Sequence, residues 1–530
     1  MVDAFMIISA VVLSAVILFV IVLLLIRFSH PDDKNEARFP KAVVILGLFI
    51  ASAAVLTLPF DVANAGGGDI DVGVLWQIIF ITAAVFIVVI IPFAFFFYES
   101  DVDPDLLREQ GASQCEGQAP QAMKYTCLSF VIFTILVVIM YVFMHVAEIR
   151  VERHTQNMFM VVPVGTDVPQ VTSNVVGCSA LAPSGGTLYF QKSATPKKMC
   201  HQEEFTWEIP VTFPVYLMAL LAFIGWFLFS LFVGIGLFAL PLDLFNDWRT
   251  RPERMTLQEY SKRKNELGIR ARSLREIGTA ILDCQIDATG VKQGRKNRRQ
   301  AKKAMNEFEQ AVYMLQKDID YMNLSFFLKG GNPIMPWFKL FLSIFSGILS
   351  LTWLLHILLF MLFDVTPFLN DLFINLEFDG FPLFGVVAFA IYSFYLLWCC
   401  IAGNFKLGLR IPFIMKIYPM ELGNTMMNAF LVNTWIILVC SFPCVQFCTI
   451  AFPIYSRGTS ITVIFGNQVK NLQFFKYFFK DNVFVIAMLI LSMITLACLC
   501  LLPKDKSEII EQKLEDFKNG KKRGLGLNRM

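Results

Sequence analysis

Charge is what this chain has least of. Only 16% of its residues are Asp, Glu, Lys or Arg, against 56% hydrophobic. Soluble domains carry about a quarter charged residues, so a water-soluble globule is excluded as the class for most of the chain. Histidine is scarce too, with five residues at 30, 145, 154, 201 and 356 and no zinc-ligand spacing among them. There is no Walker A loop, HExxH, GxSxG or kinase set, so the chain is read as non-enzymatic, with no cofactor and no metal. No basic residue precedes the first apolar run, which is therefore expected to be a retained helix rather than a signal peptide. Lipidation signatures are missing, and internal repeats are not evident, which weakens an inverted-repeat transporter.

What is present is a set of about nine long apolar runs, each near the roughly 20 residues a helix needs to cross hydrocarbon. Length and charge exclusion place them at 4–26, 43–59, 74–97, 127–146, 211–240, 338–363, 382–403, 427–452 and 483–502. The second run is interrupted late by Pro59, so an irregular end is expected there. The highly charged stretch 241–337 divides the runs five and four. The fold class is thus an all-α polytopic membrane protein, with the lipid bilayer as its first partner. The divisions are 1–240, the first five spans with an outer loop at 148–208; 241–337, a soluble insert; 338–503, the last four spans; and 504–530, a basic tail. The 53 phenylalanines suit lipid-facing surface.

Lys and Arg favour cytoplasmic links. Arg27, Lys34, Arg38 and Lys41 follow the first span, and Lys406, Arg410 and Lys416 follow the seventh. The links after the second and sixth spans carry Asp61, Asp69, Asp71, Asp364, Asp371, Glu377 and Asp379, but no Lys or Arg. This predicts an outside N-terminus and a cytosolic C-terminus. Two links disagree: Arg150 and Arg153, and then Arg457, Lys470, Lys476 and Lys480, fall on the outer side. For the second link, an interfacial helix over 461–479 is expected, with aromatics toward lipid and lysines snorkelling.

The outer loop is rich in proline and β-branched residues, which predicts short strands, as at 161–176. Its two cysteines, Cys178 and Cys200, are expected to pair if that side is lumenal or extracellular.

Two seams with alternating spacings of three and four run through the soluble insert. The first holds Leu257, Tyr260, Lys264, Leu267, Ala271, Leu274, Gly278 and Ile281; the second holds Met305, Phe308, Val312, Leu315, Ile319 and Met322. They predict a cytosolic antiparallel coiled-coil hairpin between helices 5 and 6. A basic cluster, Lys292, Arg295, Lys296, Arg298, Arg299, Lys302 and Lys303, lies near its tip. It reads either as a partner or anionic-lipid site or as a solvated topology signal. It lacks interleaved aromatics, so nucleic acid is not expected as a partner.

Inside the spans, Gly234-Ile235-Gly236-Leu237-Phe238-Ala239 matches GxGxxA but lies within an apolar run. Close helix packing is the better reading. Cys440, Cys444 and Cys448 share one helix face, either as packing residues or as a soft-ligand face, and Cys399 and Cys400 invite acylation as well. His356 lies in mid-span, where an ionisable group is costly; it is either functional or a neutral ring bonded to Asn428, Asn433 or Gln446. His356, Asn433, Gln446 and Asp61 form the candidate intramembrane polar site.

Several strings resemble a known family. They are His30-Pro31-Asp32-Asp33, Leu58-Pro59-Phe60-Asp61-Val62-Ala63-Asn64, Ile91-Pro92-Phe93-Ala94-Phe95-Phe96-Phe97-Tyr98-Glu99, Pro367-Phe368-Leu369-Asn370, Tyr395-Leu396-Leu397, Ile401-Ala402-Gly403, Gln446-Phe447-Cys448 and Ile464-Phe465-Gly466. Together they resemble the limb-region-1-like membrane proteins, the lipocalin-interacting membrane receptor (LIMR) family, in its plant and protist branch. The resemblance implies nine spans, an outside N-terminus and a large cytosolic loop between spans 5 and 6. It also implies roles in lipocalin uptake, cobalamin export or trafficking, with no catalytic residue to carry over. The expectation is a receptor of the endomembrane system (endoplasmic reticulum or lysosome) or the plasma membrane. It would meet a ligand or lipocalin-like carrier outside and a trafficking or signalling partner at the hairpin, 257–322. The alternative is an exporter of a small amphipathic, cobalamin-like molecule.

Overall fold

The computed structural model describes residues 2–29, 38–99, 114–156, 200–251, 255–290, most of 308–327, 334–378, 382–407, 410–411, 415–416 and 425–501 except 480. The strands expected at 161–176, the side chains of Cys178 and Cys200 and the basic patch at 292–303 lie outside what is described. Apolar helices dominate: α1 (Val2–Phe28), α2 (Arg38–Ala65), α3 (Val72–Glu99), α4 (Gln114–Met144) and α5 (Phe213–Arg249) come first. A charged helix, α6 (Leu257–Gly290), is followed by α7 (Ile334–Leu362), the short α8 (Phe368–Phe378), α9 (Pro382–Leu407), α10 (Met427–Ala451), α11 (Lys476–Phe479) and α12 (Val483–Leu501). Among the described residues, 8 helices are long and apolar enough to cross a membrane, and α12 adds a shorter apolar one. This is the polytopic all-α architecture expected from the sequence. Strands β1 (Val146–Gln156) and β2 (Cys200–Pro210) form an antiparallel pair between α4 and α5. Two-residue strands β3 (Arg410–Ile411) and β4 (Met415–Lys416) pair between α9 and α10.

The chain divides into two compact units, Met1–Gly236 with Thr352–Ser492, and Leu237–Leu351 with Met493–Met530. In the first unit α10 is the core: 89% of its apolar window is buried, against 6% for α1 and α4. A helix apolar on all sides belongs inside, so α10 is wrapped by protein while α1 and α4 turn most of their surface to lipid. Lipid gives helices no hydrophobic reason to associate, so close packing must hold them. Glycine permits it where α5 meets α9. A Cβ on Gly236 would fall 1.9 Å from the Cys399 carbonyl oxygen, and one on Gly403 1.9 Å from that of Phe232. The GxGxxA string is therefore a packing device.

Pro59 does not end α2, which continues to Ala65. The turn after it is pinned by Asp61, which accepts hydrogen bonds from the Trp76 indole and from the amides of Ser460 and Ile461. The expected interfacial helix over 461–479 is also corrected. That segment is a π-helical stretch, Thr462–Val469, followed by turns and α11. Phe465, Phe475 and Phe479 are buried rather than facing lipid. Its backbone joins the β pair: Gln473 N–H donates to the Val146 carbonyl, and Glu148 N–H to that of Asn471. Lys476 does not simply snorkel, for its Nζ lies 2.5 Å from Glu148 Oε2. This contact ties the described part of the 456–481 link to the strand pair β1–β2.

In the second unit α6 packs against helical residues within 308–327. Thr256 and Glu259 form a capping box at the start of α6, with Thr256 N–H donating to Glu259 Oε2 at 2.9 Å and Glu259 N–H to Thr256 Oγ1 at 3.4 Å. Leu267, Leu274 and Ile277 pack with Ala311, Leu315 and Met322. The contact line departs from the expected seam at three places. Lys264 is exposed, Ile277 takes part beside Gly278, and Ala311 is buried while Val312 is 39% exposed. A helix of 3.6 residues per turn drifts off a strict 3.5 repeat. Gly278 makes room for the Phe308 ring, which a Cβ there would meet at 2.7 Å.

Two predictions follow from this packing. Gly236→Leu or Gly403→Leu drives a side chain into a backbone carbonyl, and full-length protein in detergent loses its monodisperse elution. Gly268→Ala, in open space on α6, instead leaves thermal stability unchanged or raises it by about 0.5–1 kcal/mol. The second concerns pH. The Lys476 ammonium, with help from Gln473, holds the Glu148 carboxyl below its ordinary range. The stabilisation is therefore complete above the ordinary carboxylate pKa and is lost as pH falls through the lowered one. Hydrogen exchange at 146–148 and 471–473 speeds up across that acid window, and Glu148→Gln removes the pH dependence.

Candidate intramembrane binding site

The four polar residues expected within the spans each have their own partners. Asp61, 1% exposed, is saturated by three N–H donors: Trp76 Nε1 at 2.8 Å, Ile461 N at 2.9 Å and Ser460 N at 3.2 Å. Three residues on, Asn64 closes the following turn by exchanging hydrogen bonds with the backbone of Ile70. Gln446 Oε1 accepts from Trp226 Nε1 at 2.8 Å, tying α10 to α5. His356 is fully buried, and its Nε2 lies 2.9 Å from the Ala451 carbonyl at the end of α10. A carbonyl only accepts, so Nε2 carries the proton. The partner is thus a helix-terminal carbonyl rather than Asn428, Asn433 or Gln446; Asn428 instead donates to Glu99. The ring is packed among Trp353, Phe360, Phe368 and Phe452.

Asn370 was missed in the sequence. Its Nδ2 donates to the same Ala451 carbonyl at 3.4 Å, and its Oδ1 accepts from Tyr455 N at 3.2 Å. Its place in the Pro367–Asn370 string was the available signal. Three π-helical stretches were also unforeseen: Phe86–Ile90, Ile357–Leu362 and Thr462–Val469. A widened turn frees a carbonyl; that of Ile87 accepts from Trp435 Nε1, and that of Met361 from Asn482 Nδ2.

Asn433 lines a cavity. This space, about 260 Å³, is enclosed by α1, α2, α9 and α10. Val16, Ile17, Val20, Ile21 and Leu24 present one face of α1 to it. Trp398 and Phe405 of α9 and Phe430 and Ile437 of α10 form the opposite wall. No charged residue lines it. Apart from the Thr434 hydroxyl, the polar groups there are occupied within the protein: Ser52 Oγ donates to Leu48 O, Asn433 Oδ1 accepts from Asn404 at 2.7 Å, and Asn433 Nδ2 donates to Ala429 O. The site is therefore built for an uncharged apolar group, with the lightly packed α1 along one side.

Cys440, Cys444 and Cys448 are fully buried, as are Cys399 and Cys400, which withdraws the latter pair from acylation. Among the described residues, no three His, Cys, Asp or Glu side chains form a group that could hold a metal ion.

The Asp61 geometry yields a stability prediction. Asp61→Ala strands two buried donors and a half-buried one, the buried ones at about 1–3 kcal/mol each, so a loss of about 3 kcal/mol or more is expected in thermal unfolding. Asp71→Ala removes only an exposed N-cap bond to Val74 and costs about 1 kcal/mol. Equal effects of the two would contradict the assignment.

A family model described as LMBR1-like membrane protein matches residues 6–329 and 332–500. A LIMR family protein of Dictyostelium discoideum is 37% identical over 520 residues, 96% of this chain and 99% of that protein. One from Arabidopsis thaliana is 34% identical over 516 residues, 92% of this chain and 94% of its own length. One from Oryza sativa subsp. japonica is 33% identical over 519 residues, covering 93% and 94%. No solved structure matches.

Proposed function

The chain belongs to the LMBR1-like membrane protein family, and from that premise we propose that it is a multi-pass, receptor-like membrane protein that holds a hydrophobic ligand between α1, α2, α9 and α10. The apolar cavity carries this reading. Ligand pockets for drug-sized molecules run to about 300–1,000 Å³, and at about 260 Å³ this one falls below them. A corrin-sized molecule does not fit; a single alkyl or isoprenoid chain does. The rival transport reading narrows accordingly to a lipid-like cargo, entering past α1. A carrier of lipocalin type would deliver or accept such a ligand on the side of the β1–β2 pair. A trafficking or signalling protein would bind the hairpin, 257–322, whose charged outer faces are exposed.

Photocrosslinking tests the site. A photoreactive, clickable fatty acid supplied to membranes containing the full-length protein is expected to label peptides from α1 and α10. Ser52→Trp with Ile437→Trp, which fills the cavity, should reduce that labelling several-fold without changing elution behaviour. Labelling spread equally over α4, which is as lipid-exposed as α1, and indifferent to the filling variant would overturn the proposal.

A further inference from the structure

The second unit holds another cavity, about 550 Å³, at the root of the hairpin. Its lining is charged. Arg249 ends α5, Arg251 follows two residues later, and Lys262 and Arg263 lie in the first two turns of α6. Glu259 and Glu266 are the carboxylates of the lining, so four cations face two anions and leave an excess of two. Glu259 is already turned back onto Thr256, whose amide and hydroxyl both donate to it at 2.9 Å. Among the described residues, none of the four cations lies within ion-pair distance of a carboxylate.

A second observation points independently to a ligand. Ser325 lines the cavity, is 1% exposed, and its Oγ has no hydrogen-bond partner among the described residues. An unpaired buried hydroxyl costs about 1–3 kcal/mol, a cost that an acceptor in the cavity would relieve. The depth of the site is set by aromatic residues. The Arg251 guanidinium lies 5.4 Å from the Trp248 ring centre and 5.9 Å from that of Trp337. These tryptophans stand at the end of α5 and the start of α7, where aromatic belts mark the membrane interface. Basic residues just outside a span are where anionic headgroups are gathered.

We propose that this cavity binds a phosphomonoester, presented by the headgroup of an anionic lipid or by the same headgroup free in solution. Such a group carries about −1.5 to −2 charges at neutral pH, matching the two-cation excess. Arginine grips phosphate oxygens in pairs, and the Ser325 hydroxyl donates to another. The site is separate from the apolar cavity and does not depend on it.

The full-length protein in nanodiscs is the test. Phosphatidylcholine nanodiscs with and without phosphatidylinositol monophosphate are compared by native mass spectrometry for retained lipid, and free inositol monophosphate is titrated against the protein in phosphatidylcholine alone. Wild type is expected to retain the phosphorylated lipid. Ser325→Asp, and Lys262→Gln with Arg263→Gln, should each reduce retention at least ten-fold with unchanged elution and melting. Neutralising the 292–303 cluster should leave retention unchanged. Binding of inositol monophosphate with equal affinity identifies the free headgroup as the source; binding only of the lipid identifies the membrane. Retention unaffected by the cavity variants, or lost only with the 292–303 cluster, overturns the proposal. If the charge variants misfold, Ser325→Ala serves in their place: a several-fold loss with normal melting supports the site, and unchanged retention rejects it.

Discussion

The backbone that follows α10 has to be satisfied from within the protein, because hydrocarbon supplies no hydrogen bonds. That constraint organises the first unit. His356 from α7 and Asn370 from α8 both reach the Ala451 carbonyl, Asn370 also takes the Tyr455 amide, and Asp61 from α2 takes the amides of Ser460 and Ile461. Three separate elements are thereby fixed around the exit of one buried helix. The π-helical stretch beyond it is then aimed back at the protein, where residues 471–473 meet β1 in register, with Ala147 opposite Leu472.

The same geometry accounts for Lys476, one of the lysines that loop-charge counting places on the wrong side. Charge counting treats each link as independent, whereas Lys476 reaches Glu148 from a link more than three hundred residues distant in sequence. The neighbouring aromatics are engaged in the protein as well: the Phe223 ring of α5 meets Phe474, Phe475, Phe478 and Phe484. A basic residue whose charge is met by a packed carboxylate carries little topological information, so Lys476 drops out of that count.

The spans were legible because each is long, uncharged and apolar on all sides; the run read as 427–452 is the helix Met427–Ala451. Partners were not legible. Hydropathy marks His356, Gln446 and Asp61 as costly, but it does not say that a helix-end carbonyl and two tryptophan indoles will meet His356 Nε2, Gln446 Oε1 and Asp61 Oδ2. Pro59 misled because its local cost is offset by Asp61 two residues later, a tertiary effect. Of the two seams, the described contacts fall within a residue of the expected positions, and the displacements at Gly278 and Val312 follow from helical drift and from the volume of Phe308. The cavity was the least visible feature. Its walls come from four helices distant in sequence, and only Asn433 among its lining residues stood out from the apolar background.

The strings by which the chain resembles its family are largely occupied with folding. Asp61 and Asn64 close turns, Asn370 clamps the end of α10, Gln446 ties it to α5, and Gly403 lets α9 touch α5 backbone to backbone. Most of the hydrogen bonds these side chains can make are spent inside the protein, Gln446 Nε2 excepted, which has no partner among the described residues, so little is left for a ligand. Binding belongs instead where surface is left unfilled or charge unanswered. The described structure has both kinds of place: an apolar space behind the loosely packed α1, and a basic recess at the root of the hairpin holding an unpartnered Ser325 hydroxyl. Neither carries a motif, since an alkyl chain asks only for apolar volume and a phosphate only for donors and positive charge.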